Sequence, residues 1–505
     1  MKNIVNYLVY GCLLSMCLLA CDFLDEKPYS ELTNENLEVG FGKDSVKYTT
    51  AVQAEQLING AYSDFASEFW QLDLYIMNDA QADNAYAGES KDQTVQIDQL
   101  RLISTNGNVS RDWNYIYTHI SKANTILTYV PAIADPALTE TRKNEILGEA
   151  AFMRAICYFN LVRIYGSVPM ILQAIPEISM ENLEEVYPLL YPAQSSVEDI
   201  YAQIVKDLEY AQANVADYSA FKFKITKAFA NLLLAEVYAT KDGVEKTDWT
   251  SVKKYAEKVV NDGRYGLLPH YNDVFAVANP LEKGILPYLD LLNENSKESI
   301  FEVDYNSWTT LGNWAGQMFV GIDWKKFNTP SHDLYDAFTR EGDLVRRDAS
   351  ILLYDVSGKW TDTYWPSSAY PYSWKIRAQE KNNIVLYRLP EAILLLADAE
   401  NELGNTAKAA QLVNQIRTRA GLPNTTAAIK EDMRLAIENE HRFEFAFEGK
   451  RWMDLKRRGR FIQAMRACTD HQREYGLAMK ETQLLWPIPQ SELDLNRNLK
   501  QNPGY

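Results

Sequence analysis

The chain has 505 residues, 47% hydrophobic and 24% charged, a globular composition that excludes a disordered chain and leaves room for two or three domains. Its formal net charge of −17 weighs against nucleic acid, whose phosphates call for a basic face, and against docking on anionic lipid by charge. Of its 31 Tyr, 18 Phe and 11 Trp, most belong in a core because aromatics carry large apolar area.

In chain order, Met1 and Lys2 precede an apolar stretch over 4–20. It is short for a membrane span, which needs roughly 20 apolar residues, and suits a signal-peptide core. It ends Leu18-Leu19-Ala20-Cys21, which resembles the bacterial lipobox, whose cysteine is acylated and becomes the new N-terminus. The other reading is an ordinary signal peptide with an incidental cysteine. Asp22, Asp25 and Glu26 follow as an acidic cluster, similar to export signals of surface lipoproteins in one bacterial phylum. Beyond Cys21 only Cys157 and Cys468 remain, with no disulfide framework or paired metal knuckle. Cys157 reads as a buried thiol in an apolar helical run.

Periodicity predicts a helix from Ala51 to Phe65, with Ala54, Leu57, Ile58 and Ala61 on one face. Polar, irregular sequence follows over Gln71–Ser90. Further helices are expected over Trp113–Val130, Thr141–Ile164, Ser196–Ala213, Thr226–Thr240 and Trp249–Val260. Gly166 and Pro169 end the second of these, and Ser195 or Ser196 caps the third. Between 270 and 380, Gly, Pro, Asn and Ser break the periodicity, leaving loops and short strands such as Ser299–Tyr305. Helices return over Glu391–Leu403, Ala407–Arg419 and Glu431–Gly449, before an extended tail with Pro487, Pro489 and Pro503. Two segments, Thr226–Tyr238 with Trp249–Val260 and Glu391–Leu403 with Ala407–Arg419, resemble tetratricopeptide helix pairs, which bury their apolar faces only by stacking.

No catalytic motif appears. The five histidines form no HExxH, and there is no GxSxG elbow, phosphate loop, dinucleotide fingerprint or regular calcium loop. The expectation is a binding protein, not an enzyme, with no cofactor and no metal.

Several blocks together resemble the SusD/RagB family of outer-membrane lipoproteins from Bacteroidetes. They are the opening Cys21–Pro28, Gly148–Met170 with its YG-x-VP turn, and Lys227–Tyr238 followed by Trp249 and Tyr255. Asn414–Pro423, Glu438–Gly459 and the tail Leu484–Tyr505 complete the set. His441 departs from the family's usual Arg in a structural block. The resemblance implies a mainly α fold, a tetratricopeptide-like scaffold with a loop-rich irregular subdomain. It places a signal peptide at 1–20 and one SusD-like domain at 21–505, with scaffold about 45–265 and 385–465 and a ligand-side region about 266–384. It further implies an outer-membrane, cell-surface protein anchored in the bilayer by acyl chains on Cys21. Such a protein binds an oligosaccharide or polysaccharide and sits on a TonB-dependent, SusC-like barrel transporter. Peptide cargo and pure assembly with the transporter remain alternatives.

A sugar site needs an aromatic ring for the apolar face of the sugar and directed polar groups for its hydroxyls. Three stretches offer this. Asp83, Asn84 and Tyr86 form the first, with Trp70 and Tyr75 upstream; Asp83 and Asn84 can equally cap a turn, and Trp70 reads better as core. Trp308, Trp314 and Trp324 form the second, where small neighbours leave Trp314 open. Tyr364, Trp365, Tyr370, Tyr372 and Trp374 form the third, stiffened by Pro366 and Pro371, and equally readable as core. The ligand-binding expectation is Asp83, Asn84, Tyr86, Trp314, Trp365, Tyr370 and Trp374. Glu448, Arg451 and Asp454 recur at helical spacing and read as structural, intrahelix pairs.

Overall fold

Helices with apolar residues at three- and four-residue spacing pack in series through the computed structural model, which describes residues 48–505 except 89–92, 244, 278–290, 307–311, 321–325, 378–380 and 471–472. Cys21, Trp308 and Trp324 lie outside the described residues. The first long helices are α1 (Ala51–Tyr62), α2 (Gly107–Tyr129), α3 (Glu140–Tyr165), α4 (Val197–Asn214), α5 (Lys227–Tyr238) and α6 (Trp249–Val260). Each packs on the next, except that α1 touches both α2 and α3. Side-chain caps set their starts: Thr139 accepts from the Arg142 amide at 3.2 Å and Ser196 from that of Asp199 at 3.1 Å. Every residue of α3 from Ile146 to Tyr165 is buried, so α3 is the central rod. It stops at Gly166, whose φ of +74° suits glycine.

The chain leaves this series after α6 and rejoins it at α7 (Leu389–Glu402), which packs directly on α6. Then α8 (Thr406–Arg419) and α9 (Lys430–Glu444) pack on α7, and α10 (Arg451–Arg457) follows. The two tetratricopeptide-like pairs, α5/α6 and α7/α8, therefore stack on each other although far apart in sequence. Pro390 stands in the first turn of α7, where its missing N–H is harmless.

Short strands come from the intervening segment, except Ala85–Tyr86, which lies between α1 and α2. Among the described residues they form three antiparallel two-stranded sheets: β1 (Ala85–Tyr86) with β3 (Thr329–Pro330), β2 (Ser299–Val303) with β6 (Ile384–Arg388), and β4 (Ile351–Tyr354) with β5 (Tyr370–Ser373).

Two segments differ from the sequence expectation. The segment expected to be irregular over Gln71–Ser90 begins with helical turns, including π-helical turns over Phe69–Asp73 and Ile76–Ala80, and its residues 71–88 are buried except for the partly exposed Leu74. The expected helix over Glu431–Gly449 ends at Glu444, because Phe447 (φ +60°) and Gly449 (φ +67°) take left-handed backbone. Correspondingly, Glu448 pairs with Arg388 and Lys375, and Arg451 with Asp83, not with each other; only Asp454 pairs locally, with Arg457 and Arg458.

A buried ionic core ties β6, α8 and α9 together. Arg388 donates to Glu298 at 3.0 Å and to Glu448 at 2.8 Å, and it pairs with Glu444. Arg419 reaches Glu298 at 2.8 Å and Glu444, while Arg346 reaches Glu440 at 2.7 Å and Glu444 at 3.1 Å. Burial raises the Glu444 carboxyl, but the three guanidiniums outweigh burial and hold it well below the usual carboxylate range.

Candidate functional site

The sequence-derived residues fall into three settings. Asp83 and Asn84 are buried and committed to arginines. Asp83 accepts both nitrogens of a bidentate Arg451 at 2.7 and 2.8 Å, and Asn84 accepts Arg442 at 2.9 Å. Burial raises the Asp83 carboxyl, yet Arg442 and Arg451 more than offset it and hold it well below the usual range. These two side chains fasten the turn before β1 onto α9 and α10, and their polar atoms are turned inward.

Trp365 and Trp374 are also covered. The His332 ring lies parallel to Trp365 at 3.6 Å, with Tyr335 edge-on at 5.6 Å. Trp374 is buried, with the Arg377 guanidinium 5.5 Å from its ring and its own amide bonded to the Ser350 carbonyl. Both expectations of a ligand platform give way to packing, because each ring already has a partner on its face.

Tyr86 and Tyr370 meet at one carboxylate. Tyr86, on β1, donates its hydroxyl to Asp362 Oδ2 at 3.0 Å, and Tyr370, opening β5, donates to the same oxygen. The Tyr364 amide donates to Asp362 Oδ1 at 2.9 Å. Burial first, then the carboxylate and the neighbouring phenol, push both phenols far up, so they remain neutral donors. Both rings are buried, but the loop they hold is not: Trp360 is 52% exposed and Tyr364 46%. The Lys326 ammonium lies 5.0 Å from the Trp360 ring centroid and 5.7 Å from that of Tyr370.

Trp314 stands elsewhere, half-buried at a cleft of about 220 Å³. One water centre needs only roughly 10–15 Å³, so the cleft has room for a ligand. Trp314, Met318 and Phe327 give it an apolar wall, facing Glu68, Asn108 and Arg111. Arg111 is fixed by a bidentate pair with Asp73, at 3.0 and 2.6 Å, and by Glu68 at 3.1 Å. Burial and then Asp73 push the Asp112 carboxyl well above its usual value. Asn108 is only 4% exposed, yet its side-chain amide bonds to no described residue. Its amide lines the cleft and reaches solvent there, so it can bond a hydroxyl that enters.

Of the residues at the cleft and the exposed loop, the sequence expectation included Trp314 but not Asn108, Arg111 or Trp360. Asn108 and Arg111 sit in the first turns of α2, upstream of where its apolar period becomes visible. The signal for Trp360 was its setting, a lone tryptophan in the hydrophilic run Ser357–Thr363. Two smaller interior spaces of about 30 Å³ each, beside Glu391 and beside Lys375, lie within the scaffold. Among the described residues, no group of His, Cys, Asp and Glu is placed to hold a metal ion. The arrangement suits non-covalent recognition, with ring faces for apolar surface and an amide, a guanidinium and carboxylates for hydroxyls.

Comparison with known proteins gives matches at both ends of the chain. The family described as SusD matches residues 353–505, and one described as starch-binding associating with outer membrane matches residues 22–239. A SusD-like protein P25 of Formosa agariphila is 25% identical over the whole of both chains. The starch-binding protein SusD of Bacteroides thetaiotaomicron is 25% identical over 81% of each chain. The crystal structure of a SusD homolog from Bacteroides thetaiotaomicron superposes with a TM-score of 0.73 at 21% identity, covering 91% of this chain and 98% of that one.

Proposed function

The chain belongs to the SusD/RagB family of Bacteroidetes outer-membrane nutrient-binding proteins, and from that premise we propose that it captures a glycan at the cell surface and hands it to a TonB-dependent, SusC-like barrel. The observation that carries the glycan reading is the Trp314 cleft, lined by a half-buried indole and by the Asn108 side-chain amide, which bonds to no described residue. The starch-binding name of one relative supports a carbohydrate cargo. In this reading Trp314 stacks on a sugar ring and Asn108 binds its hydroxyls. Tyr86 and Tyr370 hold the exposed loop, and Asp83, Asn84, Trp365 and Trp374 serve as framework. The Cys21 lipobox supplies the anchor, and transport itself falls to the barrel.

Calorimetric titration of the purified protein against polysaccharides, oligosaccharides and peptides tests the proposal. Saturable binding to a glycan is expected. Asn108→Ala removes no hydrogen bond of the folded chain, so it should weaken binding at least about tenfold with an unchanged unfolding temperature, and Trp314→Ala should weaken it as much. Saturable binding to peptides alone overturns the glycan reading. Glycan binding that both substitutions leave intact removes the cleft from the site.

A further inference from the structure

We propose that the Trp360–Tyr364 loop is a second glycan contact, separate from the Trp314 cleft, and that it makes affinity for uncharged glycan chains rise with chain length. The inference rests on the glycan reading above and extends it to ligand class and length.

Exposed aromatic rings are common on protein surfaces and mean little singly. These two differ in how they are held. The Asp362 carboxylate between them accepts two buried phenols and the Tyr364 amide. The loop is closed at its base by the Val356 amide on the Ser367 carbonyl, at 2.8 Å. Gly88 lies so close that an added Cβ would stand 2.8–2.9 Å from Thr329 Oγ1, Asp362 Oδ2 and the Tyr370 hydroxyl. Tyr364 is braced edge-on by Tyr86, with centroids 5.4 Å apart, and its carbonyl lies 2.9 Å from His332 Nε2. A loop built this way has already lost its conformational freedom, so stacking a sugar on its rings costs little further ordering.

The loop and the cleft are neighbours. Lys326 extends over Trp360, while the next residue, Phe327, lines the Trp314 cleft. A chain of sugars long enough to pass from the cleft to the loop engages both. Binding at the cleft then makes contact at the loop intramolecular, and affinity grows with length without any new kind of interaction.

Charge selects the class. The carboxylates acting on the Tyr364 phenol are Asp98, Asp362 and Asp470. The nearby Lys326 ammonium is engaged with the Trp360 and Tyr370 rings. A sulfated or uronate-rich chain would meet these carboxylates, whereas a neutral chain would not.

The test is titration of the full chain with a length series of the neutral oligosaccharides it binds, beside the sulfated form of the same chain. The wild type should bind longer members more tightly. The Trp360→Ala/Tyr364→Ala pair should lose at least about tenfold on the longest member and nothing on the shortest. Tyr364 packs on Tyr86 and Trp360 on Lys326, so a small fall in unfolding temperature is expected, and full affinity of the variant for the shortest member shows that it is folded. Equal losses at all lengths, no loss at any length, or sulfated chains bound as tightly as neutral ones each overturn the proposal while leaving glycan capture standing. Failure of the wild type to bind any glycan overturns capture itself, and this proposal with it.

Discussion

His119 lies inside α2 with its ring edge against Phe65, 4.9 Å between centroids, and neither ring nitrogen is hydrogen-bonded. Burial pushes its pKa down from 6.5 to about 3. The folded state therefore keeps the imidazole neutral while the unfolded chain takes up a proton. The contribution to stability is complete above pH 6.5 and is lost as the pH falls toward the folded value. Between pH 6.5 and about 5 this one group should cost the wild type about 2 kcal/mol. His119→Leu removes the titration, so the gap in unfolding free energy between pH 7 and pH 5 should shrink by about that amount in denaturant titrations. A gap of unchanged size would mean that the ring is protonated in the folded protein. At this scale the sequence displays residue types but not their partners. Asp83 and Asn84 look like loop groups available to a ligand, and nothing local reveals that Arg442 and Arg451, hundreds of residues away, take up their acceptors. The partial exposure of Trp314 is legible because its small neighbours are adjacent in sequence. The role of Asp362 is not, since it depends on two tyrosines brought in by different strands.

Among elements, the contact of α3 with α4 turns on Gly148. A Cβ built there would lie 3.1 Å from both Asn214 Cβ and Val215 Cγ1, and 3.2 Å from the Val215 nitrogen. Alanine improves helix propensity by about 1 kcal/mol, but overpacking a tight contact costs about 1–3 kcal/mol. Crowding against backbone should win, and Gly148→Ala should lower stability by about 1 kcal/mol in chemical denaturation. A stabilised variant would mean that the two helices separate freely. The helices with a clear apolar face are readable from sequence to within a few residues, α6 to its ends. The failure at Gln71–Ser90 has a physical cause. Polar side chains there face inward and bond to distant parts of the chain: Asn78 accepts from the Met453 amide, Asp79 from that of Gly449, and Gln81 from the Trp486 indole. A helix whose buried face is polar shows no hydrophobic period.

On the scale of the whole molecule, anchoring separates position from recognition. Among the described residues no helix is long and apolar enough to cross a membrane. In the proposed reading, attachment depends on acyl chains at Cys21, each buried methylene contributing about 0.8 kcal/mol. Cys21→Ala should move the protein from the outer-membrane fraction to the soluble one with glycan affinity unchanged, and an unaltered distribution would overturn the anchor assignment. The stacking of α6 on α7 was the least legible large feature. Each pair can be read from its own residues, but the adjacency depends on how the loop-rich stretch returns to the stack.

The ionic core around Arg388, Arg419, Arg346 and Glu444 bears on how long a molecule lasts. Removing one partner strands the others as bare charges in a dry interior, which costs several kcal/mol at each step. Partial opening of β6, α8 or α9 is therefore steeply uphill, and escape requires these elements to come apart together. Protease attack on this part of the chain must wait for that concerted event, so the useful lifetime of a copy is set by an unfolding rate more than by an equilibrium margin.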